Sequence, residues 1–267
     1  MPTLLECNKI GLMMDEFGSN GAQIAYIDFP PLTEDRGEPI VLIHGFASTH
    51  AVNWLFPQWV KTLTEDGRRV IVLDNRGHGR SEKIYDPAAY DLALMAGDVA
   101  NLLASLGVAR ADVMGYSMGA RIAVTLALNH PEVVRSLVLG GIGANLVTTG
   151  LPRGLAEAME AERIEDIDDP LLKMFRGFAE ATRADLLSLA ACARGPNQIV
   201  DRARLAAIKV PVLICVGTRD EVAGDPHPLE PFFPDAHIVD IPGRDHNRAV
   251  GDRVFKQAVL DFLAQRE

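Results

Sequence analysis

The sequence predicts an α/β fold built on a mostly parallel, roughly eight-stranded sheet, with helices on both faces and a small helical insertion. Short β-branched runs alternate with longer stretches of helical apolar periodicity, as in successive βαβ units. The rhythm stops once, across 141–208, where no strand-like run occurs and the pattern turns helical and acidic. Between the two, Gly115-Tyr116-Ser117-Met118-Gly119 joins the apolar run Asp112-Val113-Met114 to a helix-compatible stretch at 120–128.

In chain order, 23–29 alternates apolar and polar residues loosely and reads as an antiparallel entry to the sheet. The runs 40–43, 69–73, 111–114, 133–139, 210–216 and 237–241 read as the strands that follow. Helices are expected at 54–65, 90–106, 118–130 and 250–264. In the last, Val250, Val254, Ala258 and Leu260 with Phe262 outline one apolar face. Parallel strands covered by helices on both sides need apolar residues on both faces, which these short runs supply. Residues 1–140 and 209–267 therefore form the core, and 141–208 is a candidate lid. Within it, Leu171, Met174, Phe175 and Phe178 share one helical face, and Leu186, Leu189 and Ala193 another. Breaks between the lid helices are expected at 166–170 and 195–197.

Composition narrows the classes of partner. The chain has 267 residues, 48% of them hydrophobic, and 26 Lys and Arg against 36 Asp and Glu, for a formal charge of −10. That balance argues against nucleic acid or an anionic membrane surface as a partner. Cys7, Cys192 and Cys215 lack metal spacing and read as core or incidental thiols in a reducing compartment. Residues 1–7 show no basic region followed by an apolar one, so no signal peptide is expected, and no apolar stretch reaches the ~18 residues of a membrane span. The expected location is the cytoplasm.

The chemistry concentrates at predicted strand ends. In the Gly-x-Ser-x-Gly pentapeptide, a serine sits on a turn so tight that side chains two before and two after it would collide. A serine hydroxyl needs a base to remove its proton, and the base needs an acid to hold its tautomer. Downstream, Asp220 follows the strand 212–217, and His246 follows the strand 237–241 through the turn Pro242-Gly243-Arg244-Asp245. Serine, acid and histidine thus fall in the chain order of the α/β arrangement, each at the carboxyl end of a strand. Asp225 and Glu221 are local rivals for the acid. Asp245 adjoins His246 and is poorly placed to accept from its ring.

These motifs resemble the α/β-hydrolase superfamily almost end to end. Ile43-His44-Gly45-Phe46 follows an early strand, Asp74 to Ser81 (DNRGHGRS) follows the next, and the pentapeptide, the Asp turn and the His turn come after. The resemblance implies Ser117 as nucleophile, His246 as base and Asp220 as acid. It also implies an oxyanion hole from the backbone N–H groups of Phe46 and Met118, leaving the side chains of Phe46, Tyr116 and Met118 to contact substrate. His44 reads as a hydrogen-bond donor that stabilises its loop, His50 as solvated, and Arg76 as pairing within its turn. No cofactor or metal is expected.

Serine at the elbow excludes relatives that open epoxides or displace halide with a carboxylate. The expected reaction is hydrolysis of small to medium, fairly apolar carboxylic esters through an acyl-serine, with a small-molecule ester as the expected partner. Carbon–carbon bond hydrolysis, with Arg176 and Arg194 conceivable around a substrate carboxylate, is an alternative. Thioester or lactone hydrolysis, perhydrolysis, and a ligand receptor that turns over slowly are others.

Overall fold

Alternate residues of the central strands enter two separate cores, which is why those strands read as unbroken apolar runs. In the computed structural model, which describes residues 14–196, 198–233 and 235–265, Ile40–Ile43 (β3) sends Val41 and Ile43 to one face and Ile40 and Leu42 to the other. Val70–Leu73 (β4) and Val212–Gly217 (β7) divide in the same way. Each fully buried Val, Leu or Ile contributes about 1.5–3 kcal/mol, so these strands form the rigid frame of the molecule. Cys7 and the segment 1–7, on which the expectation of no signal peptide rests, lie outside the described residues.

Among the described residues the sheet has eight strands, numbered in chain order and arranged β1-β2-β4-β3-β5-β6-β7-β8. Asp15–Ser19 (β1) and Ala22–Phe29 (β2) pair antiparallel, and β2 runs antiparallel to β4. Thereafter β3, Ala111–Tyr116 (β5), Val134–Gly140 (β6), β7 and Ala236–Ile241 (β8) are parallel. The first strand is an addition to the sequence reading. Its composition, DEFGS, carries little strand pattern; the signal was Asn20-Gly21, a hairpin turn with φ of +47° and +78°.

On one face lie Leu92–Ser105 (α2), Met118–Asn129 (α3) and the inserted helices; on the other lie Trp59–Glu65 (α1) and Arg253–Gln265 (α9). The single helix expected over 54–65 is a correction. A π-helical turn, Ala51–Leu55, ends before Pro57, and α1 starts afresh after Gln58 at φ +68°. Proline has no N–H to continue the ladder, and this divides the segment.

Between β6 and β7, Asn145–Thr148 (α4), Leu155–Glu160 (α5), Pro170–Ala181 (α6) and Leu186–Ala193 (α7) follow without a strand among the described residues. Asp169 caps α6, accepting from the Leu171 and Leu172 N–H groups at 2.8 and 3.2 Å, with Pro170 at the first helical position. The break at 166–170 is thus a helix start, while Asn197, in the other expected break, is outside the described residues. His246–Ala249 (α8) follows β8. Cys192 and Cys215 are buried free thiols whose pKa burial pushes up. Among the described residues no helix is long and apolar enough to cross a membrane.

Candidate active site

Ser117 occupies the turn between β5 and α3 with φ +56° and ψ −115°, a backbone state that costs about 1–3 kcal/mol in a residue with a Cβ. The turn is over-determined by its neighbours. A Cβ on Gly115 would overlap the Gly119 carbonyl, and one on Gly119 would overlap the Ile43 carbonyl, so β5, α3 and β3 meet where only glycine fits. The Ser117 N–H donates to the Gly140 carbonyl at 2.8 Å, anchoring the turn to the end of β6. Met118 is the first residue of α3, so its N–H has no acceptor within the helix.

His246 and Asp220 are brought together from adjacent strand ends. His246 Nδ1 lies 2.8 Å from Asp220 Oδ2 and 3.0 Å from Oδ1, and both residues are buried. That bond assigns the ring hydrogen to Nδ1 and leaves Nε2 with a lone pair. Asp220 is itself fixed, since Oδ1 accepts from the Val222 and Ala223 N–H groups at 3.0 and 2.9 Å. The rivals have other partners or positions. Asp225 accepts from the His227 N–H at 3.0 Å, Glu221 is exposed, and Asp245 caps α8 by accepting from the Arg248 N–H at 2.9 Å. The two turns are joined by N–H donation from Thr218 to the Ile241 carbonyl and from Arg219 to the Arg244 carbonyl, each at 3.0 Å.

Tyr116 stands behind His246. Its ring lies 5.4 Å from the imidazole, and its hydroxyl donates to the His246 carbonyl at 2.6 Å. Burial pushes the phenol well above its ordinary pKa. The side chain expected to contact substrate thus has its hydroxyl committed to the backbone of the histidine. Met118 packs its sulfur 3.8 Å from Cys192 Sγ, and the Phe46 ring meets Phe175 edge-on at 6.1 Å.

The turn carrying Phe46 is held close to the elbow. A Cβ on Gly45 would lie 3.3 Å from Ser117 Cβ, and the Gly45 N–H donates to Asn53 Oδ1 at 2.8 Å. His44 donates from Nδ1 to the Gly45 carbonyl at 2.7 Å and accepts from the Asn75 N–H at Nε2, 3.0 Å away. Burial pushes its pKa down to about 4, against the pull of Asp74, so it is neutral. His50, expected to be solvated, instead lies with Nδ1 2.9 Å from Asp74 Oδ1, because that buried carboxylate needs partners. Burial would raise the Asp74 pKa, but the His50 contacts and His44 hold it down at about 2. Arg76 does not pair within its turn: it reaches Asp98 on α2 at 2.8 Å and the Ala89 carbonyl.

Two cavities meet at Ser117. One of about 200 Å³ is lined by Phe46, Tyr116, Ser117, His246 and, from α6, Met174, Phe175 and Phe178. The other, about 390 Å³, is lined by Ser117, Met118, Arg121 and residues of the inserted segment. A larger surface cleft of about 890 Å³ lies between β8 and α9 and contains none of the predicted site residues. Among the described residues no group of three or more His, Cys, Asp or Glu side chains is placed to hold a metal ion.

Sequence reasoning missed Asn53, Thr182 and Arg121. Asn53 and Thr182 carry no local signal for the site, because the contacts that matter there are to other segments' backbone atoms, the Gly45 N–H and the Ala47 carbonyl. Arg121 did carry one: it is a charge within the apolar run of α3, one turn past Ser117.

Comparison with known proteins fits this arrangement. A family model described as the α/β hydrolase fold matches residues 38–198. The chain is 31% identical over 217 residues to AB hydrolase superfamily protein YisY of Bacillus subtilis, covering 70% of this chain and 76% of that protein. It is 38% identical over 121 residues to a 2-hydroxymuconate semialdehyde hydrolase of Pseudomonas sp. CF600, covering 43% of this chain and 41% of that one. The crystal structure of the enol-lactonase from Burkholderia xenovorans superposes with a TM-score of 0.73 at 25% identity, covering 94% of this chain and all of that one, 100%. With the family model spanning more than half its length, and with its strand order and elbow in place, the chain belongs to the α/β-hydrolase fold family.

Proposed function

We propose that the protein is a serine hydrolase that cleaves carboxylic esters of small to medium size through an acyl-serine intermediate. The observation that carries this reading is the His246–Asp220 pair, joined at 2.8 Å, with His246 lining the same cavity as a serine held on a strained turn. Ser117 Oγ attacks the carbonyl carbon while its proton passes to His246 Nε2. The carbonyl oxygen takes the negative charge, stabilised by the N–H groups of Phe46 and Met118 at about 3–4 kcal/mol per donor. As the tetrahedral adduct collapses, the bond to the leaving oxygen breaks and that oxygen takes the proton from His246. Water then repeats the sequence, giving its proton to His246 and its oxygen to the acyl carbon, and Ser117 leaves reprotonated. Asp220 holds the imidazole in the tautomer that both halves need.

The inserted helices act as a lid over this centre. Met174, Phe175 and Phe178 give the smaller cavity an apolar wall, which suits an apolar leaving group and excludes water from the reacting atoms. Arg176 and Arg194, the inserted-segment cations a carbon–carbon bond hydrolase would need, line neither cavity at Ser117. Arg176 is bound to the Ala158 and Ala161 carbonyls and to Glu180, and Arg194 to Glu157 and Glu160.

Turnover of short-chain p-nitrophenyl esters by the wild-type protein, and its loss in Ser117→Ala with folding intact, is the expected result. A folded protein inert to every ester in such a series overturns the reading.

A further inference from the structure

Arg121 is a buried guanidinium with no carboxylate partner among the described residues, and it lines a cavity that ends at Ser117. Its terminal N–H groups reach four carbonyls: Leu146 at 3.2 Å, Gln198 at 3.0 Å, Asn145 at 2.7 Å and Thr149 at 2.8 Å. Those bonds use its four terminal hydrogens but supply no full opposite charge. Burial pushes its pKa down to about 10, with no neighbouring carboxylate opposing the shift. The other buried arginines differ: Arg68 meets Glu38, Asp66 and Asp112, Arg76 meets Asp98, and Arg176 meets Glu180. At the rim of the same cavity stands Arg153, exposed and in no ion pair among the described residues, with the exposed Glu221 the only carboxylate in the lining. The cavity therefore holds two cations against one anion.

The two cavities also differ in what the reaction places there. His246 must protonate the leaving oxygen, and His246 lines only the smaller, apolar-walled cavity. The leaving group therefore occupies the smaller cavity, and the acyl chain extends past Met118 into the larger one.

We infer that the larger cavity takes an acyl chain ending in an anion, so that the preferred substrates are half-esters of dicarboxylic acids, with the free carboxylate paired to Arg153 in the field of the uncompensated Arg121 charge. This rests on the acyl-serine reading and refines it: apolar at the leaving group, anionic at the far end of the acyl group.

The test compares monoethyl adipate with ethyl 6-methylheptanoate, in which an isopropyl group replaces the carboxylate. The half-ester is expected to show about tenfold higher kcat/KM, the difference residing in KM. Arg153→Gln should reduce the half-ester to isostere ratio about threefold, the remainder coming from the Arg121 charge, and Glu221→Gln should raise it. Arg121→Met also removes lid contacts and is open to unfolding, so the rim variants carry the test. Calorimetric binding of adipate to Ser117→Ala gives a readout independent of turnover, expected to weaken about threefold on adding Arg153→Gln. A wild-type preference for the isostere, a ratio unmoved by Arg153→Gln, or absent adipate binding overturns the inference. Loss of the acyl-serine reading looks different: neither ester is cleaved, whatever adipate does.

Discussion

The Tyr116 hydroxyl donates to the His246 backbone carbonyl at 2.6 Å, so the residue preceding Ser117 holds the proposed base from behind. One side chain thereby couples the elbow at the end of β5 to the turn after β8, across 130 residues of sequence. Tyr116→Phe removes the bond but keeps the ring that packs on the imidazole. It should lower stability by about 1–2 kcal/mol and reduce kcat several-fold with KM within twofold. Urea unfolding and steady-state kinetics check it; an unchanged kcat would detach Tyr116 from the positioning of His246.

Asp220 is the carboxylate in contact with His246 Nδ1 and is proposed as the acid; Asp225 and Asp245 are bonded elsewhere. Asp220→Asn keeps the shape but presents an amide to His246 Nδ1 and disturbs the tautomer. A loss in kcat of about 10³–10⁴ is expected. Asp245→Asn should act only through the α8 cap, costing at most about 1 kcal/mol of stability. A loss from Asp225→Asn as large as that from Asp220→Asn would assign the acid elsewhere.

Thr182, just past α6, has its single hydroxyl hydrogen between two acceptors, the Ala47 carbonyl at 2.9 Å and the Ala179 carbonyl of its own helix at 3.0 Å. Ala47 follows Phe46 and has φ +57°, so the bond to its carbonyl steadies a strained residue beside the proposed oxyanion donor. Thr182→Val should lower kcat about tenfold, and Thr182→Ser should restore it, because the hydroxyl is the acting group. Equal losses in both variants would point to packing instead.

Acid stability follows from the buried histidines beneath the Phe46 turn. Burial holds His44 at about 4 and His78 at about 3, against 6.5 in an exposed histidine. Below pH 6.5 the unfolded chain takes protons at both positions that the native state refuses. Their contribution to stability is therefore complete above pH 6.5 and is lost as pH falls toward the folded values, with a slope of up to about 2.7 kcal/mol per pH unit. Asp74, held at about 2, withdraws its share only below about 3.8. Urea midpoints measured from pH 7 to pH 5 should fall steadily; a flat profile contradicts the neutral, buried state of these rings.

What was legible in the sequence was whatever depends on a local backbone demand. The glycines around Ser117 are dictated by the close approach of β3, β5 and α3, and the residues Asp220 and His246 by their places at strand ends. What was not legible depends on which distant segment arrives. The partners of His50, Arg76 and Thr182 lie 24, 22 and 135 residues away, and no periodicity encodes those meetings. The β1 edge strand escaped because it pairs on one side only and needs no apolar pattern, although its Asn-Gly turn marked it. Pro57 was a visible break that the apolar periodicity of 54–65 outweighed.

The proposed reaction requires Ser117 to be an activated nucleophile. Incubation with a fluorophosphonate, followed by intact-mass and peptide analysis, should find one adduct per chain on Ser117, lost in Ser117→Ala and strongly slowed in Asp220→Asn. A folded wild-type protein that takes up no label, or takes it at another residue, would contradict the account.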